Sequence, residues 1–319
     1  LMVFDQRTLC RADGTTKQPE ILGHMFGRIS PAGAQVQTVP GSGGYPAQPG
    51  RKSVRDLLPH RVVAGVESHA GACLLADVDD GTKRETVLTA LQKSAFEEKL
   101  SMLDGGTGAI ACASGMSATL LAVLNVCNAG DNIVSASAVY GGTYNLFSVT
   151  LKKYGIETRF FDPDDSAENI EKLIDEHTKV IFAETVANPT IVVLDFDKIS
   201  EIARKHGVLF MVDNTLVTPV LCRPRDFGAN VVVYSSSKYL DGHAVALGGA
   251  VVDCGNFDFA SSNRYPEFNA PDDSYHGIVY AEKFGKEGAF ITKATAQLMR
   301  DFGSTPAPQS AFLLNLGLE

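Results

Sequence analysis

The chain has 319 residues, 45% of them hydrophobic, with a formal net charge of -9. That length can bury a sizeable core, and the acidic balance argues against non-specific binding to nucleic acid. No apolar stretch is long and uninterrupted enough to span a membrane and the amino end lacks a secretory pattern, so a cytoplasmic location with no membrane partner is expected.

From Pro31-Ala32-Gly33 to about residue 94, including Gly41-Ser42-Gly43-Gly44-Tyr45-Pro46, the composition is that of flexible loop. The first strand-like run is Gly108-Ala109-Ile110-Ala111-Cys112, followed by Ala113-Ser114-Gly115-Met116-Ser117 and the helix-like Thr119-Leu120-Leu121-Ala122-Val123-Leu124. A helix start presents unpaired N–H groups and partial positive charge, so Ser114, Gly115 and Met116 are candidates to cradle a phosphate. Ser114 is equally an ordinary helix cap. After Asn132-Ile133-Val134-Ser135-Ala136 comes Tyr140-Gly141-Gly142. Glycines there let the Tyr140 ring lie over a planar group, although a tyrosine at the core boundary would look the same.

Asp164 and Asp165 follow Pro163 and read as a turn before a helix over Ala167–Ile174. The run Lys179-Val180-Ile181 leads to Asn188-Pro189, where an Asn amide can meet a ligand or simply form a turn. A second helix, Ile199–His206, is stopped by Gly207. Two further runs, Val208–Val212 and Val231–Tyr234, read as buried parallel strands, ending at Asp213 and before Ser235-Ser236-Ser237-Lys238. Beyond them, Phe290, Ala294, Leu298 and Phe302 fall at helical spacing and predict a packed helix ending near Gly303. The alternation predicts an α/β fold, a mostly parallel sheet sandwiched by helices, with polar residues at the strand ends where open sheets bind ligands. Alone, Asp213 or Lys238 would more simply reach water.

The order of these pieces (phosphate loop, aromatic, Asn-Pro, Asp, Ser-rich Lys) resembles the pyridoxal-phosphate-dependent enzymes of cysteine and methionine metabolism. An aldehyde cofactor needs a lysine amine, and its ring nitrogen an acidic partner. The resemblance implies that Lys238 is the cofactor lysine, that Asp213 pairs with the ring nitrogen, and that Tyr140 stacks on the ring. It also places Asn188 near the ring hydroxyl or the substrate carboxylate, and the Ser235 and Ser237 hydroxyls on the phosphate beside the Gly115 and Met116 backbone. Tyr265–Phe268, Tyr275–Tyr280, Leu298–Gly303 and Ala311–Glu319 are similar to the O-acetylhomoserine sulfhydrylase branch.

That branch implies the large domain of the aspartate-aminotransferase-like, fold type I transferases, with the smaller C-terminal domain largely missing. It implies an N-terminal arm over residues 1–30, a cofactor domain over 95–290, and a connecting helix with the start of the truncated domain over 291–319. Arg28 matches the arm's phosphate ligand to a neighbouring subunit, while Phe26 lacks the expected tyrosine hydroxyl. Residues 31–94 match nothing in the family and read as foreign sequence, such as an unspliced segment, or as a lineage-specific loop. The implied reaction is γ-replacement on O-acetyl-L-homoserine by sulfide or methanethiol, giving homocysteine or methionine and acetate, in a homodimer or homotetramer. A cystathionine γ-synthase or a γ-lyase would use the same residues, and an inactive fragment or interaction module remains the reading from another class.

Six cysteines without Cys-x-x-Cys spacing read as free, mostly buried thiols, and the seven histidines form no metal pattern, so no metal is expected.

Overall fold

The computed structural model describes residues 81–319, the side chains from residue 92 on. Arg28, Phe26, Cys10, Cys73 and most of the atypical stretch 31–94 lie outside the described residues. The structure opens on α1, Gly81–Asp104. Residues 81–94, expected as loop, are therefore helical: Lys83-Arg84-Glu85 through Leu91-Gln92-Lys93 is rich in good helix formers and has no proline.

Seven strands follow: β1 Gly108–Cys112, β2 Asn132–Ala136, β3 Glu157–Phe161, β4 Thr178–Glu184, β5 Leu209–Asp213, β6 Val231–Tyr234 and β7 Gly249–Asp253. They form one sheet in the order β1-β7-β6-β5-β4-β2-β3. Pairings among β2 to β6 are parallel, whereas β7 is antiparallel to both β1 and β6. Two reversals restore direction, so β1 runs with the parallel set and only β7 runs against it. The carboxyl ends of β1, β2, β4, β5 and β6 consequently share one edge. Every residue of β2, β4 and β6 is buried, which explains why those strands read as continuous apolar runs rather than alternating ones.

The crossovers include α2 Gly115–Leu124, α3 Gly141–Asn145, α4 Ala167–Glu171 and α5 Phe196–His206. In α5, the Asp195 side chain accepts from the Lys198 N–H at the start, and Gly207 ends the helix in the left-handed region at φ 61°. Asp164 and Asp165 form the expected turn, their backbone and side chains tied to Asp162.

Near the carboxyl end lie α6 Tyr280–Lys293, a π-helical segment Ala294–Met299, the short turn Arg300–Phe302, and α7 Pro308–Gly317. The expected helix therefore reaches Gly303, but its face does not persist. Wider turns across the π segment advance the buried positions from Phe290 and Ala294 to Met299, and Phe302 is left exposed.

A buried polar chain crosses the core beneath β5 and β6. Thr185 Oγ1 donates to Asn214 Oδ1, Asn214 Nδ2 donates to the Tyr234 hydroxyl, and that hydroxyl donates to Asp104 Oδ1 at 2.8 Å. Burial pushes the Asp104 carboxyl up to about 7, against a lowering contribution from Tyr234. An acid raised on folding adds stability that is complete below its ordinary 3.8 and is lost as pH rises toward 7. Urea unfolding should therefore show roughly 1–3 kcal/mol less stability at pH 8 than at pH 5 from this group, and Asp104→Asn should flatten that slope. An unchanged slope in the variant would remove Asp104 as its cause.

Of the thiols, Cys112, Cys127 and Cys254 are buried and Cys222 half-buried, all unpaired. No described helix is long and apolar enough to cross a membrane. Among the described residues no cluster of His, Cys, Asp or Glu could hold a metal.

Candidate active site

All candidates within the described residues sit at the shared strand edge. Ser114 follows β1 and caps α2, its Oγ accepting from the Ser117 N–H at 3.2 Å. The next two amides, Gly115 and Met116, lie in the first turn, where a helix offers no backbone acceptor. A Cβ on Gly115 would lie 2.5 Å from Ser235 Cβ and 3.0 Å from its Oγ, so the loops after β1 and β6 touch here. The result is a small cradle of N–H donors beside a hydroxyl, a donor set suited to a phosphate.

The loop is braced from below by β7. A Cβ on Gly249 would come within 2.1 Å of the Ser114 carbonyl oxygen, a backbone clash with no flexible end to yield. Gly249→Ala is expected to push the Ser114 loop out of place and weaken phosphate binding about 10-fold or more, measured by titration with inorganic phosphate or pyridoxal phosphate. Unaltered affinity in the folded variant would show that the brace is dispensable.

Asp213 closes β5. Burial raises its carboxyl, opposed by hydrogen bonds from Thr215, whose N–H donates to Oδ1 at 2.9 Å. Thr215 Oγ1 in turn accepts the Ser235 N–H at 2.8 Å. One short path thus joins Asp213, Thr215, Ser235 and Gly115, linking a half-buried acid to the phosphate cradle. Thr215 carries no motif in the sequence that would have marked it for this role.

Lys238 follows β6 on a turn, its N–H donating to the Ser235 carbonyl at 3.2 Å, and its side chain is exposed. The amine is therefore accessible at the sheet edge. Ser237 is engaged differently from Ser235: its Oγ accepts from Gly248 N at 2.9 Å and donates to Gly248 O at 3.1 Å. Its proton is directed at backbone, so a phosphate contact through Ser237 requires the hydroxyl to turn from Gly248.

Tyr140 stands at the start of α3, half exposed, its ring close over Gly142: a Cβ there would lie 2.5 Å from Tyr140 Cε1. The glycine expected to make room for an aromatic plane makes it for Tyr140 itself. Asn188, half-buried and joined to Pro189 by a cis peptide, follows β4.

The residue unassigned from sequence is Glu184, the last of β4. Its Oε1 accepts from the Tyr140 N–H at 2.6 Å and its Oε2 from the Asn188 N–H at 3.1 Å. In the β4–β5 register it pairs with Asp213. A lone acidic residue inside an apolar strand, Phe182-Ala183-Glu184, was the available signal, since such a residue is seldom buried without partners. Tyr265, at the start of one of the branch-like segments, is structural: its hydroxyl receives the Leu209 N–H and donates to the Lys179 carbonyl, pinning the starts of β4 and β5.

A cavity of about 300 Å³ lies at the ends of β2, β3 and β4, lined by Ala136, Phe161, Glu184, Val192 and Lys198 among others.

Comparisons with known proteins place the chain in a family. The profile of the family described as Cys/Met metabolism PLP-dependent enzyme matches residues 86–319. A homocysteine synthase of Schizosaccharomyces pombe is 45% identical over 226 residues, 70% of this chain and 52% of that protein. A homocysteine/cysteine synthase of Kluyveromyces lactis is 43% identical over 226 residues, covering 70% of this chain and 50% of its own length. The chain thus spans about half the length of the curated relatives it matches. Among solved structures, a Campylobacter jejuni chain described as an O-acetylhomoserine (thiol)-lyase, carrying N'-pyridoxyl-lysine-5'-monophosphate, superposes with a TM-score of 0.68. It is 40% identical, covering 71% of this chain and 56% of that one.

Proposed function

Because the chain belongs to the Cys/Met metabolism PLP-dependent enzyme family, we propose that this protein replaces the acetoxy group of O-acetyl-L-homoserine by sulfide, releasing homocysteine and acetate. The observation that carries the reading is the convergence, at one strand edge, of an accessible lysine, a half-buried aspartate and a helix-start phosphate cradle joined through Thr215 and Ser235. The names of the two yeast relatives and of the Campylobacter chain favour this branch.

The donor set fits pyridoxal phosphate. Gly115 and Met116 N–H groups with the Ser235 hydroxyl would hold its phosphate, the Tyr140 ring would cover its plane, and Asp213 would keep its ring nitrogen protonated. When bound, the cofactor supplies an electron sink that acidifies the α- and β-protons of an amino acid. The chain's own part is positional and protolytic. Lys238 Nζ would hold the cofactor through its aldehyde, and as a free amine it is the base placed to take the substrate α-proton. Lys238 Nζ or the Tyr140 hydroxyl returns a proton where the leaving group departs. Half-buried Asp213, held by Thr215, would stabilise positive charge on the ring nitrogen without moving. Asn188 is the candidate for orienting the ring hydroxyl or the substrate carboxylate, and the arm residue Arg28 for a phosphate contact to a neighbouring subunit.

A homodimer or homotetramer in the cytoplasm completes the proposal.

The test is to incubate the purified full chain with pyridoxal phosphate, O-acetyl-L-homoserine and sulfide. Equal amounts of homocysteine and acetate support the proposal. Release of 2-oxobutanoate without a thiol would assign a γ-lyase instead, and no turnover by cofactor-loaded protein would reject the catalytic reading of this chain.

A further inference from the structure

We propose that Glu184 is a positioning residue, a single carboxyl that clips the loop of Tyr140 and the loop of Asn188 to the strand end holding Asp213. Its consequence for ligand binding rests on the pyridoxal phosphate reading, whereas the clip is a property of the bare chain. Glu184 is only 7% exposed, and each of its oxygens accepts a different backbone N–H, from Tyr140 at 2.6 Å and from Asn188 at 3.1 Å. Two acceptors on one group fit a carboxyl, since an amide would turn its NH₂ toward one of the two donors. The loops leave β2 and β4, which are neighbours in the sheet, so the clip sets the spacing between the stacking ring and the Asn-Pro turn.

Position in the register adds a second constraint. Glu184 pairs with Asp213 across β4 and β5, which puts both side chains on one face of the sheet at its ligand edge. Burial first, then the charge of Asp213, pushes the Glu184 carboxyl up, while the two N–H groups pull it down. Two carboxyls paired in the register at a largely buried strand end oppose joint ionisation, which couples the clip to Asp213. The other charged groups facing Glu184 line the same cavity: Asp164 after β3, and Asp195 and Lys198 of α5. Lys198 is occupied, its Nζ donating to the carbonyls of Pro163 and Asp165.

The experiment uses the full chain without cofactor, following Tyr140 and Asn188 amides by NMR and hydrogen exchange. Pyridoxal phosphate affinity is then measured by fluorescence for wild type, Glu184→Gln and Glu184→Ala. In wild type the two amide signals should shift with a common midpoint as pH is raised. Glu184→Gln should lose protection at one amide, Glu184→Ala at both, with affinity about 10-fold weaker in Glu184→Ala. Independent titration of the two amides, or wild-type protection in both folded variants, would overturn the clip. If neither variant folds, the wild-type titration alone decides. Co-titrating amides in a wild type that binds no cofactor would uphold the clip while rejecting the cofactor reading.

Discussion

Lys238→Ala is expected to lower homocysteine formation by about 10⁴-fold or more, with cofactor retained only by non-covalent contacts. The size follows from the two tasks proposed for one amine, attachment of the cofactor and transfer of the substrate proton. Among the described residues, the lysines of β4 and α5 are engaged elsewhere. Lys179 is buried, donating to the Arg264 carbonyl, and Lys198 is tied to two carbonyls on the far side of the cavity. An added primary amine should restore part of the rate, because it replaces the proton shuttle but not the tether. Quench-flow or simple coupled assay of homocysteine release gives the number, and a variant within tenfold of wild type would remove Lys238 from the chemistry.

Asp213→Asn is the second large effect, expected to reduce turnover by about 10²- to 10³-fold while leaving phosphate affinity within a few-fold. An amide keeps the shape and can still accept the Thr215 N–H, so the fold should survive. What it removes is the negative charge that holds a proton on the ring nitrogen, and with it most of the electron-withdrawing power that the site draws from the cofactor. Because like charge from Asp213 helps push Glu184 up, the same variant should also let Glu184 ionise at lower pH. The amide midpoint of Tyr140 and Asn188 should then fall, and a constant midpoint would show that the two carboxyls do not communicate.

Much of this site was legible before any coordinates. Strands buried on both faces, such as Val180-Ile181-Phe182 and Val231-Val232-Val233, announce themselves by unbroken apolar runs, and their ends mark the ligand edge. Asp213 and Lys238 were placed correctly at two such ends for that reason. Contacts between distant segments left no comparable trace. Nothing local in Ser237 foretells that Gly248 occupies its hydroxyl, and nothing in Gly249 foretells that it supports Ser114 from an antiparallel strand. Strand direction is equally silent, because β7 is as fully buried as the parallel strands β2, β4 and β6. The slip of the α6 face beyond Ala294 arises from a π-helical turn, which a 3.6-residue period cannot express. Glu184 shows the reverse case: its oddity within an apolar strand was visible, but its meaning needed two loops and a neighbouring strand to be seen together.

The most direct test of the central claim is chemical. Purified full-length chain is mixed with pyridoxal phosphate, reduced with borohydride, digested and mapped by mass spectrometry. A phosphopyridoxyl mass on the peptide bearing Lys238, absent when borohydride is omitted, is the predicted result. The label on another lysine, or on none in a folded sample, would contradict it and dissolve the site built around Asp213 and the cradle after β1.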